Sequence, residues 1–119
     1  MAQSNPNMDL VSAPRTKGDS VLAEARGEID LHNSPELRSA ILAMISKPIP
    51  KRLILNLAQV PYMDSSAVAV LVEALQKLRP SGGRVVLVAL QPRVRGLLEI
   101  ARLDTVFVLV ADEQAALAS

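Results

Sequence analysis

This sequence predicts an α/β domain in which helices pack on a four- to five-stranded mixed sheet, and three observations support that reading. Short apolar runs at residues 53–57, interrupted only by Asn56, and at 85–89 have the pattern of strands covered on both faces. Segments around and between these runs repeat their apolar residues at helical spacing instead, so strand and helix signals alternate along the chain. Half of the 119 residues are hydrophobic, yet only Tyr62 and Phe107 are aromatic. The core must therefore rest on Val, Leu, Ile and Ala, which suits helices on a sheet better than an aromatic-rich β-sandwich.

Taken in order, residues 1–7 are polar, contain Pro6 and read as a disordered tail, leaving residues 8–119 as one domain. Residues 8–12 are a candidate first strand, and residues 14–20, with Gly18 and Asp19, read as a turn or loop. Residues 21–26 form the next strand, closed by Gly27. Ser34 and Pro35 supply a helix cap and a proline at the first helical position. Leu37, Ala40, Ile41, Met44 and Ile45 then follow as one buried stripe, ended by Pro48 and Pro50. After the strand at 53–57, residues 61–63 lead into Asp64 and a second helix striped by Val68, Leu71, Leu75 and Leu78. Residues 80–83 are the clearest loop, and Pro92 opens a third helix after the strand at 85–89. Residues 106–110 read as the last strand, and Asp112 caps a short fourth helix. Such alternation implies parallel pairs joined by crossover helices, with antiparallel pairing open for the first two strands.

Composition removes much chemistry. With no cysteine, thiol nucleophiles, disulfides and zinc-thiolate sites are excluded, and His32 is the only histidine. The 13 basic and 12 acidic side chains balance to +1, and no aromatic residues interleave the basic ones, so direct nucleic-acid binding is not expected. Neither a membrane-length apolar run nor a secretory leader pattern is visible, so the expectation is a cytoplasmic protein without membrane insertion. There is no G-x-S-x-G turn, Walker-type phosphate loop or H-E-x-x-H, and hence no expected enzyme activity, cofactor or metal.

What remains is Asp64-Ser65-Ser66, after a buried strand and at a helix start, where open parallel sheets meet their ligands and partners. One of these three residues must cap the helix. A phosphate on a neighbouring hydroxyl would be tolerated by the helix dipole while adding about −1.5 to −2 charges to the surface. Capping and switching are compatible. The apolar turn that follows, residues 67–72, is either buried or a flat docking surface. Asp30 lies beyond a strand on the same edge as Ser65 if residues 21–26 pair with 53–57; otherwise it is an ordinary loop carboxylate. Arg93, Arg95 and Arg102 could hold an anion or form a solvated face.

Gly27-Glu28-Ile29-Asp30 after a strand, Leu55-Asn56-Leu57, Met63-Asp64-Ser65-Ser66 before a helix, then Gly82-Gly83 and a final Glu113-Gln114-Ala115-Ala116-Leu117 resemble, in order and spacing, the STAS domain of bacterial anti-sigma factor antagonists. The resemblance runs from about residue 21 to 117. It implies a partner-switching protein that binds an anti-sigma factor with serine kinase activity when unphosphorylated. Phosphorylation of Ser65 would switch it off, and a metal-dependent serine phosphatase would restore it. Asp30, Asp64, Ser66, Ala67 and Val68 would then form the partner-binding surface of a domain that is monomeric when free. Ala67 stands where the family motif usually has glycine. Two other readings are a constitutive STAS subunit, for example of a lipid-transport ATPase, in which Ser65 would only cap the helix, and a small serine hydrolase using Ser65 and His32.

Overall fold

A computed structural model describes residues 9–119; the expected tail at 1–7 lies outside them. The elements are β1 (Arg15–Lys17), β2 (Ser20–Arg26), α1 (Ser34–Met44), β3 (Arg52–Gln59), α2 (Ser65–Leu78), β4 (Arg84–Val88), α3 (Pro92–Ile100), β5 (Val108–Val110) and α4 (Glu113–Ala118). A 3₁₀ turn at Arg79–Ser81 extends α2.

The five strands lie in sequence order, with β1 antiparallel to β2 and the remaining pairs parallel. That order has a consequence. Crossovers that always step the same way and keep one hand must place their helices on one face of the sheet. Accordingly Val21, Ala23, Leu53, Leu55, Val85 and Leu87 pack with the buried stripes of α1, α2 and α3 in the main core. The opposite side chains, Leu22, Ile54, Val86 and Val88, form a second layer covered by Ala116 and Leu117 of α4. A six-residue helix has little stability of its own. Polar ties hold it down: Glu113 pairs with Arg15 at 3.0 Å, and Arg52 Nε donates to the Ser119 carbonyl at 2.7 Å. On the other face, Arg38 of α1 makes a two-pronged pair with Glu73 of α2, at 2.7 and 2.8 Å.

The first strand differs from the expectation at residues 8–12. Met8 lies outside the described residues, and of the rest only Val11 forms a bridge, antiparallel to Ala25. The regular strand is instead Arg15–Lys17, inside the stretch expected to be loop. All three of its residues are exposed, so no apolar alternation could announce it. At the end of the first stretch Ser12 keeps the arm on β2: its amide donates to Glu24 O, and its hydroxyl accepts from Glu24 N. Gly18-Asp19 closes the hairpin, Gly18 sitting at φ +57, where a side chain would strain the backbone.

Other boundaries move as well: β2 begins at Ser20, β3 runs Arg52–Gln59 rather than 53–57, and β4 runs Arg84–Val88 rather than 85–89. The residue capping α1 is Asn33, with Ser34 buried as the first helical residue and Pro35 second. The last strand begins at Val108 rather than 106, because α3 runs out through turns and Phe107 is drawn into the core. Arg102 takes φ +60 in that exit, and Leu103 N donates back to Leu98 O at 2.8 Å. This is a left-handed helix stop made without glycine, so nothing in the sequence marked it.

Candidate functional site

Because β2, β3 and β4 are parallel, the loops that follow them gather at one end of the sheet. Backbone bonds stitch the first two together. Gly27 N donates to Gln59 O, Ile29 N to Tyr62 O, and Asp64 N to Ile29 O, at 2.9, 3.0 and 3.0 Å. Gln91 of the third loop reaches Ala58 O at 2.8 Å. Asp30 therefore does share its edge with Ser65, as the pairing of β2 with β3 required.

Asp64 organises the end. Its backbone is extended, and its Oδ1 accepts from Ser66 N at 2.9 Å, from the Ser66 hydroxyl at 2.6 Å and, more weakly, from Ala67 N at 3.4 Å. This identifies the helix cap among the three candidates. Its Oδ2 accepts from Leu31 N at 3.0 Å, so the same carboxylate also locks the loop after β2. The Ser66 hydroxyl above all, then the backbone amides of Ser66, Ala67 and Leu31, hold the Asp64 carboxyl below the usual carboxylate range against the opposing effect of burial.

The two serines differ. The Ser66 hydroxyl is spent on Asp64 and its side chain is half-buried. Ser65 is exposed, and among the described residues its hydroxyl has no hydrogen-bond partner. It is the first helical residue, and Ala69, also exposed, lies one turn further along the same face.

Asp30 shapes its own loop. Its Oδ1 accepts from His32 N at 2.9 Å, and its carbonyl accepts from Asn33 N and Ser34 N. Asn33 completes the loop by accepting from Asp30 N and donating to Glu28 O, which explains why it is not free to cap α1 with its side chain. His32 is exposed and makes no hydrogen bond to Ser65, so the Ser65–His32 arrangement of a hydrolase is not assembled. Among the described residues no cluster of potential metal ligands occurs, and no helix is long and apolar enough to cross a membrane.

Two of the expected contact residues do not reach the surface. Ala67 is 0% and Val68 7% exposed, both packed into the main core, so the apolar turn after Ser66 is chiefly buried and these side chains are not a docking surface in the folded domain. The methyl that distinguishes Ala67 from the family glycine points inward, out of a partner's reach.

The exposed apolar side chains lie elsewhere. Leu31 is 75% exposed between Asp30 and His32, and Ile100 is 85% exposed on α3. Ile100 lines a shallow groove of about 320 Å³ with Tyr62, Met63, Arg93, Gly96 and Leu97. Arg93 stacks over the Tyr62 ring at 5.0 Å, two residues before Asp64 in the chain. Sequence reasoning missed Leu31, Tyr62 and Ile100 because an apolar residue in a loop or at a helix end carries no mark of facing outward. Arg93 was visible only as part of a basic cluster.

Comparison with known proteins agrees with this architecture. Residues 11–116 match the STAS domain family. The anti-sigma F factor antagonist of Lysinibacillus sphaericus is 28% identical over 97 residues, covering 82% of this chain and 83% of that protein. A crystal structure of an anti-sigma factor antagonist from Mycobacterium paratuberculosis superposes with a TM-score of 0.80 at 26% identity, covering 98% of this chain and 97% of the other. SpoIIAA of Bacillus shares the fold at 24% identity, with TM-scores of 0.74 for its unphosphorylated form, covering 87% of this chain and 90% of that one, and 0.65 for its phosphorylated form, covering 87% and 96%. With a mixed five-stranded sheet, a capped Asp-Ser-Ser helix start and a family match across nearly all of its length, the chain belongs to the STAS domain family.

Proposed function

We propose that this domain is an anti-sigma factor antagonist that binds an anti-sigma factor with serine kinase activity while unphosphorylated, and is switched off by a phosphate on Ser65. The observation that carries this reading is the contrast between the two serines: only Ser65 offers an exposed hydroxyl without an internal partner. The names of the relatives support the antagonist role, and the existence of SpoIIAA in phosphorylated and unphosphorylated forms supports a switch on this fold.

The physical logic is local. A phosphate at the first helical residue meets the positive end of the α2 dipole, so the domain itself tolerates it. A docked partner does not. The phosphate adds about −1.5 to −2 charges beside the Asp64 carboxylate, which its hydrogen bonds keep ionised. The contact surface in this reading is Ser65, Ala69 and Asp30, with Leu31 and the Tyr62–Arg93–Ile100 groove as apolar and aromatic anchors. Asp64 and Ser66 act beneath it by holding the helix start. A serine phosphatase then resets a domain that never unfolds, and cytoplasmic partners exchange on a monomer.

Incubation with the cognate kinase and ATP, followed by phosphosite mapping, is expected to label Ser65 alone. Ser65→Asp is expected to weaken kinase binding by about 100- to 1,000-fold, equivalent to about 2.7–4 kcal/mol. Ser65→Ala should bind and resist the switch. A constitutive binding subunit would show unchanged partner affinity for Ser65→Asp and no label on Ser65, and that result overturns the proposal.

A further inference from the structure

The end of the sheet remote from Ser65 has a different chemistry. Three connections meet there: the β1–β2 turn, the loop between α1 and β3, and the turn between α2 and β4. Their backbones are joined, with Lys51 N donating to Asp19 O at 2.8 Å and Arg84 N to Lys51 O at 2.9 Å. This continuous surface displays Lys17, Lys47, Lys51, Arg79 and Arg84, all exposed, with Arg52 half-buried behind them. Among the described residues none of these five exposed cations enters an ion pair, the four pairs being made by Arg15, Arg26, Arg38 and Arg95. Residues 1–8 contain no acidic side chain. Asp19 is the single acid on the three connections, and the neighbouring α3–β5 connection adds one charge of each sign, Arg102 and Asp104. Five cations against one acid leave a local excess of four charges on a chain whose net charge is only +1.

Among these cations stands an apolar tip. Ile49 is 54% exposed, held between Pro48 and Pro50 and flanked by Lys47 and Lys51. We propose that this end adsorbs to an anionic membrane surface, with the lysines and arginines over the headgroups and Ile49 seated at the headgroup–acyl boundary. Charge complementarity sets the sign of the partner, and Ile49 selects the kind. A bilayer interface gains from an apolar side chain ringed by cations, whereas a nucleic acid does not. Tyr62 lies at the other end and Phe107, on the neighbouring α3–β5 connection, is buried, so no ring is available there to stack a base. Dispersed lysines on flexible stems also suit a laterally mobile array of headgroups better than the fixed carboxylates of an acidic protein segment. The eight residues of β3 separate this end from the Ser65 end by roughly 26 Å, so an adsorbed domain still presents Ser65 to the solution.

Flotation of the full chain with phosphatidylcholine vesicles, with and without phosphatidylglycerol, tests the proposal. Binding is expected only with the anionic lipid, weakening as salt is raised. Lys47→Gln together with Lys51→Gln should lower the partition coefficient by about 25-fold, from about fivefold per charge. Ile49→Ser should lower it without altering its salt dependence. Arg95→Gln, which removes a charge on α3, should leave it unchanged, and a thermal melt of each variant separates lost binding from lost folding. The proposal is overturned if anionic vesicles fail to bind the folded chain at low salt, or if Arg95→Gln weakens binding as much as one lysine change. Tighter binding to polyglutamate or duplex DNA than to the vesicles at equal salt also overturns it.

Discussion

The two ends of this sheet are built by different means. At the Ser65 end, side chains reinforce the backbone bonds between the loops: Asp64 ties two loops and a helix start, Asn33 and Asp30 fold the loop after β2, and Gln91 holds the third loop. At the opposite end the ties are backbone to backbone, such as Lys51 N to Asp19 O and Gly83 N to Leu78 O. An end that also relies on side chains can be altered by one substitution or one modification. An end fastened by backbone is indifferent to most side chains and is left free to vary its charge, provided the chain can pass.

The largest expected stability effect tests that proviso. A Cβ on Gly83 would lie 3.0 Å from Leu78 Cβ and 3.2 Å from Pro50 O, both in packed surroundings. Gly83→Ala should therefore destabilise the domain by about 1–3 kcal/mol in urea titration, as overpacking does. Arg79→Gln and Arg84→Gln at the same end should change stability by less than about 0.5 kcal/mol. If the charge changes cost as much as the glycine, the comparison fails.

Next in size is Asp64→Ala, which removes the cap of α2 and the anchor of Leu31 together. A fall of a few degrees in Tm is expected. Faster amide exchange at Leu31 should accompany it, while amides at Lys51 and Arg84 stay protected. Uniform acceleration at both ends would show that the carboxylate supports the whole fold rather than one end. Acid sharpens the same point. The folded Asp64 carboxyl titrates below its unfolded value, so its contribution is complete above the ordinary carboxylate range and is lost as pH falls through the folded value. Asp64→Asn keeps an accepting oxygen but does not ionise, so its stability deficit should shrink as pH drops below about 4. One change is expected to be a gain: Arg102→Gly relieves a left-handed residue and should stabilise the domain by up to about 1 kcal/mol.

Much of the fold was legible because burial writes a pattern. The runs at 53–57 (Asn56 apart) and 85–89 and the stripe Val68, Leu71, Leu75 and Leu78 all sit in or against the two cores, and their periods gave the elements directly. β1 was misplaced because an exposed edge strand buries nothing. The start of β5 was misplaced because Phe107 belongs to the core without belonging to a strand. At the site, the Asp-Ser-Ser segment was legible as a helix start, but which residue caps and which hydroxyl stays free depends on rotamers that sequence does not record. The apolar turn at Ala67 and Val68 looked the same whether it faced a partner or the core, and it faces the core. Leu31 and Ile100 pose the converse problem, since outward apolar residues are visible only once the fold is known.

The flanks of the sheet bear on how such a protein keeps its own company. Each outermost strand is three residues long, and one of them is Arg-Thr-Lys. A second copy approaching edge-on finds too little backbone to extend a ladder, and on one side it meets like charge. These short and charged borders discourage self-association along the sheet edges.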